Sequence, residues 1–357
     1  MAVDTCVECR ERDAALNVRN RRLCAACFSH YVHSKILKRM MESYRFKKSS
    51  DNQKDRLFLP LSGGTSSLVL LQVLDAQLQK QIANRNGKSY DIVVARVVLP
   101  EEHDSAAIKN DYEDLKQSFS THTFLPLLSM HDVLRLDSKI DQDMRHLGIV
   151  RRDDESDGDF FVRIVSCTTS ATTRSDLQSI LLKRLLVAVA RDQKCTSVLW
   201  GHSDTRLAAL ALADVAKGRG GSVSSTIADG QSLHGINFSH PLRDLFKAEL
   251  QAYAQMTSEY FLERAVGNDS PPQQAASIRT TSIDNLLNTY ITSQSEKYQS
   301  IVANVVRTAS KLEVKGPNDT AISCPVCFMP VVEAPGTLIS DSGLCYGCER
   351  MKHDVRP

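Results

Sequence analysis

A chain of 357 residues with 42% hydrophobic and 24% charged side chains has the composition of an ordinary soluble protein, long enough for one large α/β domain or two modest ones. No stretch is apolar enough to span a membrane, since the most apolar helix-like run, Leu177 to Ala190, is interrupted by Lys183 and Arg184. The net charge of +2 by itself singles out no partner.

The first 27 residues carry Cys6, Cys9, Cys24 and Cys27, two Cys-x-x-Cys pairs separated by a spacer of 14 residues. Two thiolates on one tight knuckle can face one tetrahedral Zn²⁺, and a second knuckle across a short hairpin closes a four-sulfur shell. Such a shell has no open coordination position and predicts structure, not chemistry. The polar opening Met1 to Cys9 is expected to carry no secretory leader, and metal-type cysteine usage then implies a reducing, cytoplasmic setting. Residues 1 to 48 hold 11 Lys or Arg against five acids, Arg21, Arg22, Lys38 and Arg39 among them. The bias reads either as a phosphate-backbone surface for RNA or as a solvated helical face.

Ser29 to Phe46 is predicted helical, with Ile36, Leu37, Met40, Met41 and Tyr44 on its apolar stripe, and Lys47 to Lys54 reads as a linker. A buried-type strand at Arg56 to Leu61 runs into Ser62-Gly63-Gly64-Thr65-Ser66-Ser67, and Leu68, Leu71, Leu74, Leu78 and Ile82 then recur at helical spacing. Further strands are expected at Asp91 to Leu99, Thr121 to Leu127 and Thr196 to Gly201. Helices are expected at Ala106 to Phe119, Met130 to Leu136, Ser175 to Asp192 and Thr205 to Lys217. Seven acids between Asp141 and Asp159 read as an exposed, solvated insertion. Arg243 to Met256 and Ile283 to Leu312 are predicted helical. After Gly316-Pro317 the chain ends in a second double knuckle, Cys324, Cys327, Cys345 and Cys348, with a spacer of 17 residues. The alternation of strand and helix implies a mostly parallel sheet covered on both faces. The expected division is residues 1–48 for the front knuckle and basic helix, 55–315 for the α/β domain and 316–357 for the rear knuckle.

Two successive glycines between a buried strand and a helix let main-chain N–H groups converge on an anion at the positive end of the helix dipole, with Ser and Thr hydroxyls as further donors. Leu61-Ser62-Gly63-Gly64-Thr65-Ser66-Ser67 resembles the PP-loop of ATP-pyrophosphatases, whose pattern is Ser-Gly-Gly-x-Asp-Ser. Trp200-Gly201-His202-Ser203-Asp204-Thr205 resembles the Gly-His-x-x-Asp segment of their tRNA-thiolating branch. With the amino-terminal double Cys-x-x-Cys, the basic helix and His240 to Leu250, the whole chain is similar to the cytoplasmic tRNA 2-thiolation protein 2 family.

The resemblance implies a PP-loop ATP-pyrophosphatase-like, or adenine nucleotide alpha-hydrolase-like, α/β fold with a parallel sheet and amino- and carboxy-terminal zinc knuckles. It implies a subunit that pairs with a catalytic PP-loop thiolase at wobble uridine 34 of cytosolic tRNA. There the partner moves sulfur from a thiocarboxylated ubiquitin-like carrier, which meets this chain only indirectly, toward mcm5s2U. The sequence departs from the catalytic pattern at three points. Ser66 stands where the PP-loop has Asp, which weakens the case for ATP and Mg²⁺. Where active thiolases hold an iron–sulfur cluster or carry sulfur, this chain has Cys167-Thr-Thr-Ser170 and Ser222-Val-Ser-Ser225. Outside the knuckles only Cys167 and Cys195 remain, too few for a cluster shell. A pseudoenzyme that binds tRNA and completes a heterodimer is therefore expected, with no catalytic residue of its own and no membrane contact. Two alternatives stay open: a sulfurtransferase in its own right with Cys167 as the working thiol, and a zinc-knuckle scaffold with no role on tRNA.

Overall fold

The computed structural model describes residues 5–44, 54–85, 87–100, 102, 105–257, 262, 265, 281–312, 323–331 and 343–356. The spacer of the front cysteines forms a hairpin, β1 (Leu16–Val18) and β2 (Arg21–Leu23). Arg19 and Asn20 both take positive φ, as a two-residue turn matched to strand twist requires. Helix α1 (Ala25–Ser43) follows, then β3 (Asp55–Leu61), the turn, α2 (Thr65–Arg85), β4 (Tyr90–Val98), α3 (Ser105–Ser118), β5 (Thr123–Phe124) and β6 (Leu128–Ser129). Short helices α4 (Val133–Leu136) and α5 (Ile140–Met144) lead to α6 (Asp157–Ser166) and the long α7 (Ala171–Asp192). The chain continues through β7 (Ser197–Leu199), α8 (Asp204–Ala216), α9 (Val223–Ile227), β8 (Gly230–Gln231), β9 (Asn237–Ser239) and α10 (Lys247–Thr257). Helices α11 (Ile283–Lys297), α12 (Gln299–Ala309) and α13 (Tyr346–Asp354) complete it.

The sheet order is β5-β4-β3-β7-β9-β8, with β6 also on β4, and every pairing is parallel except β8 with β9. Both faces are covered, and the period-2 alternation of the strands divides the core. Leu57, Leu59, Leu61, Ile92 and Val94 pack with α1, α2 and α10. Phe58, Val93, Ala95 and Val97 point into the opposite layer with α6, α7 and the rear cysteine segment. A third cluster joins α8 and α9 to α12 through Leu207, Ala208, Ala211, Val302 and Val306. The chain leaves β3 toward β4 on one side and meets β7 on the other, so the order reverses between β3 and β7. In open α/β sheets ligand sites form at such a point, beyond the carboxyl ends of the strands. No described helix is long and apolar enough to cross a membrane.

Several expectations need correction. The buried stripe of α1 is Phe28, Val32, Ile36 and Met40, while Met41 is 63% exposed. The acidic run is not a loop throughout: α5 and the start of α6 lie within it. Arg151 pairs with Asp141 and Asp157, and Arg163 with Glu155, which lets Phe160, Phe161 and Ile164 reach the core. The strand expected over 121–127 shrinks to β5, and the helix expected over 283–312 divides at Tyr298, whose φ of −131° is not helical. Residues 47–53 of the expected linker Lys47 to Lys54, and Gly316-Pro317 ahead of the rear knuckle, lie outside the described residues.

Candidate functional site

The turn after β3 is tightly made. Gly63 takes a φ of +76°, a conformation open to glycine at no steric cost. The Gly64 amide donates to Ser62 Oγ at 3.3 Å and Ser67 Oγ donates to the Gly64 carbonyl at 3.0 Å. The Ser62 and Ser67 hydroxyls lie 3.3 Å apart, and buried Thr65 Oγ1 has no partner among the described residues. Ser66 is half-buried at the start of α2. The loop after β7 closes against this turn, because a Cβ on Gly201 would come within 3.0 Å of Ser67 Cα. Ser62 to Ser67 and Gly201 therefore converge at the point where strand order reverses, whereas the His202 ring turns away from them toward Trp200 and His240.

Arg96 does not stand out from the sequence pattern, yet it belongs to this site. Its guanidinium would stand 2.9 Å from a Cβ on Gly63 and is held by Glu102 at 3.0 Å. A signal for it exists: it is the one charge inside the apolar run from Ile92 to Val98. His202 stacks on Trp200 and on His240 at ring separations of 5.4 and 5.9 Å, and burial pushes its imidazole well below the usual range.

Asp204 opens α8 behind Ser203, which caps the helix by accepting from the Arg206 amide at 3.3 Å. Burial raises the Asp204 carboxyl to about 7, against the pull of Arg19 and with Asp244 adding to the rise. Its value unfolded is about 3.9, so the folded chain holds this proton more tightly. That contribution to stability is complete below about pH 4 and is lost as pH rises through 7. Asp204→Asn is thus expected to be more stable than the parent at pH 8, by on the order of a few kcal/mol, with a flatter profile between pH 4 and 7. Chemical denaturation across that range checks it; parallel profiles for the two proteins would refute it.

The two cysteine sets share one plan. Cys6–Cys9 and Cys324–Cys327 lie on knuckles where Arg10 and Phe328 take positive φ, and the Arg10 and Phe328 amides donate to Cys6 and Cys324 carbonyls at 2.9 Å each. Cys24 and Cys345 are the N-cap residues of α1 and α13, so Cys27 and Cys348 fall in first turns, where the helix dipole favours thiolate. In each set the four sulfurs lie within 4.8 Å of one another, with Cys9 to Cys24 at 3.9 Å and Cys327 to Cys345 at 3.5 Å. A tetrahedral ion about 2.3 Å from each sulfur needs sulfurs about 3.8 Å apart, so either set can hold a metal ion of that kind. The front thiols respond to this crowding in opposite directions. Burial raises Cys6, yet donors from the Cys9, Cys24 and Glu8 backbone bring it to about 6, while Cys24 and burial push Cys27 to about 12.

The cysteine sets differ in their setting. Cys9 and Cys27 are partly exposed, whereas all four rear cysteines are buried and belong to the core layer under α7. Arg184, fully buried, donates to Asp137 and Asp143 at 2.6 and 2.7 Å and to the Pro325 and Val326 carbonyls at 3.1 and 3.2 Å. Arg219 bridges Asp176 at 2.6 Å and Cys348 Sγ at 3.7 Å. Cys167 is also buried, donates to the Ile164 carbonyl at 3.1 Å, and has its thiol pushed up by burial despite Arg163. Cys195 is buried too, its thiol raised to about 11 by burial.

The described basic residues of the front segment are exposed or half-buried, and several are paired. Arg21 pairs with Glu8, and Arg39 with Asp244 at 2.7 Å and Glu42 at 3.7 Å. Arg22 and Lys38 are exposed on the hairpin and on α1. Arg19, on the hairpin turn, pairs with buried Glu249 at 2.9 Å and with Arg39 ties the front segment to α10 and the loop before it.

Comparison with known proteins decides the family. The chain is 38% identical to Cytoplasmic tRNA 2-thiolation protein 2 of Aspergillus clavatus over 99% of its own length and 98% of that protein. The chain belongs to the cytoplasmic tRNA 2-thiolation protein 2 family. The protein of that name from Neosartorya fischeri is 36% identical over 99% of the chain and 98% of its own length, and a family model for Cytoplasmic tRNA 2-thiolation protein 2 matches residues 282–342. Among solved structures, the U34-tRNA thiolase NcsA from Methanococcus maripaludis with its 4Fe-4S cluster superposes with a TM-score of 0.60 at 12% identity, covering 91% of this chain and 92% of that one. The fold is thus the mostly parallel α/β fold of a PP-loop thiolase, and the family implies a role in tRNA 2-thiolation within the cytoplasm for which it is named.

Proposed function

We propose that this member of the family is the non-catalytic subunit of a heterodimer with a catalytic PP-loop thiolase, binding tRNA and completing the assembly while the partner activates uridine 34. Sulfur from the ubiquitin-like carrier would then reach the partner, not this chain. The observation that carries the reading is a thiolase fold whose reactive positions are blunted. By the family resemblance, Ser66 stands where the PP-loop has a carboxylate and Ser170 and the Ser222-Val-Ser-Ser225 stretch stand where thiols are expected, while Cys167 is a buried thiol raised in pKa. A nucleophilic thiol needs the opposite environment, so the reading with Cys167 as a working thiol is disfavoured. The two four-cysteine sets are the only groups of three or more potential metal ligands among the described residues, and their geometry suits Zn²⁺. A degenerate turn beside Arg96 retains donors for an anion without the carboxylate that Mg²⁺ needs.

The test is to assay 2-thiolation, ATP–pyrophosphate exchange and tRNA affinity for the chain alone, for the catalytic subunit alone and for the pair. Exchange or thiolation by the chain alone would overturn the reading. For the tRNA surface, replacing Arg21, Arg22 and Lys38 by Gln is expected to weaken binding about equally for all tRNAs. The log–log salt slope should shrink by up to about one for each phosphate no longer neutralised. Arg39 also belongs to this face, but its tie to Asp244 makes its replacement a test of docking as well. Unchanged affinity and slope in the triple variant would reassign this face to protein contact.

A further inference from the structure

A second recess opens beyond His202, between α7, α8 and the ends of β7 and β9, separate from the turn after β3. Its volume is about 160 Å³, and Lys183, Trp200, His202, Arg206, His234 and His240 lie in its wall. Three of its buried polar atoms have no hydrogen-bond partner among the described residues: Trp200 Nε1, His202 Nδ1 and His234 Nε2. Buried polar groups are normally satisfied, and three orphans converging on one recess point to an occupant that satisfies them. The wall charges Asp176, Asp284, Lys217 and Arg219 are matched to one another, with Lys217 2.8 Å from Asp284 and Arg219 2.6 Å from Asp176. Lys183 has no ion pair or hydrogen bond among the described residues, and the Arg206 guanidinium bonds there only to Asn288 Oδ1, at 3.3 Å.

The chemistry of the wall selects its occupant. An indole N–H and an ammonium only donate, so the occupant must present acceptors. Burial holds His202, His234 and His240 neutral. His240 commits Nδ1 to Asp229 at 3.3 Å, which leaves the unpartnered ring nitrogens of His202 and His234, each a donor or an acceptor by tautomer, to face an occupant. Trp200, His202 and Phe238 supply ring faces and edges for stacking. The volume is close to the roughly 150 Å³ that admits a single six-membered ring. A flat ring with carbonyl acceptors and a ring N–H has the matching shape and pattern. Single-stranded RNA is recognised in this way, by a base splayed onto aromatic side chains and read along its edge.

We infer that this recess binds one pyrimidine base splayed out of a single-stranded segment of RNA, with its 5′-phosphate turned toward Arg206 at the exposed mouth. The inference rests on the tRNA-binding reading and adds to it a specific pocket. It requires no catalysis at the site and no nucleotide at the turn after β3.

The chain supplies its own reporter, because Trp200 is its only tryptophan. Titration of the intact, metal-loaded chain with uridine monophosphate, read by tryptophan emission excited on the red edge, should give saturable quenching. Adenosine monophosphate, with two fused rings, should bind at least about ten-fold more weakly, and inorganic phosphate should give no saturable change. Lys183→Met should weaken the uridine response at least about ten-fold, and Leu210→Phe, which fills the recess from α8, should abolish it, both with unchanged melting temperature. No saturable quenching, an equal response to phosphate or to the purine, or an unaltered response in both variants would overturn the inference. A variant that fails to melt like the parent leaves the other variant and the ligand series to decide. Binding of whole tRNA is measured alongside: tRNA binding without a uridine response defeats the pocket alone, whereas loss of both defeats the tRNA reading beneath it.

Discussion

Cys345→Ser is expected to unfold much of the rear half of the molecule, while Cys6→Ser leaves the sheet standing. Binding energy at a structural metal site is folding energy, on the order of 10 kcal/mol for a complete zinc shell, and a missing thiolate forfeits much of it. What differs between the two sets is where that energy is spent. Cys324, Cys327, Cys345 and Cys348 share one buried layer with Phe160, Leu181, Leu185 and Trp200, so loosening them exposes the face of the sheet that α7 covers. The carboxyl end is tied in as well, since the Arg356 amide donates to the Cys167 carbonyl at 2.8 Å. The front set borders solvent through Cys9 and Cys27, and α1 keeps Phe28, Val32, Ile36 and Met40 packed against the opposite layer whether or not the hairpin is metal-bound. Metal analysis should fall from the proposed two zinc ions per chain to one in either variant. Hydrogen exchange should then show loss of protection across α7 and α13 for Cys345→Ser, and only in the hairpin for Cys6→Ser. Two ions retained, or equal and local loss of protection in both, would contradict this account.

The parts of the fold legible in sequence are those where periodicity and punctuation agree. Arg56 to Leu61 followed by Gly63-Gly64 and then leucines at helical spacing leave little freedom, and β3, its turn and α2 are as expected. Both knuckles are legible because cysteine spacing states its own geometry. The expectation fails where charge conceals structure. The acids from Asp141 to Asp159 read as solvent-facing, yet their pairing with Arg151 and Arg163 frees Phe160 and Ile164 to enter the core. Strand β9 is three residues long, too short to carry an alternation, and only its parallel pairing with β7 makes it visible. The docking of the rear knuckle is hidden for the same reason as Arg96: a helix or strand pattern treats Arg as an interruption, whereas Arg184 and Arg219 sit inside because acids and carbonyls far along the chain meet them there. For the candidate site, residues adjacent in sequence are legible and their partners across space are not.

Arg184→Met is expected to cost about 3–5 kcal/mol in global stability, the usual penalty for breaking a buried ion pair from one side. The side chain has no exposed surface, and its removal strands two carboxylates, Asp137 and Asp143, that lie 2.6 and 2.7 Å from the guanidinium. It also frees the Pro325 and Val326 carbonyls and removes the cation that stands 4.8 Å over the Phe328 ring, so the knuckle loses its anchor to α7. Methionine replaces most of the volume, so a cavity contributes little and the cost is electrostatic. This gives the loss a signature that simple underpacking lacks: a knuckle cut from its anchor should release the rear metal to a chelator faster than in the parent, in step with the lost stability. Arg184→Lys keeps the charge but cannot fork between two acids and two carbonyls, and should fall between the parent and Arg184→Met. Denaturant titration at pH 7, with the rate of metal loss to a chelator measured alongside, tests both effects. Rear-site metal held as firmly as in the parent would mean that Arg184 fills space and does not fasten the knuckle to the sheet.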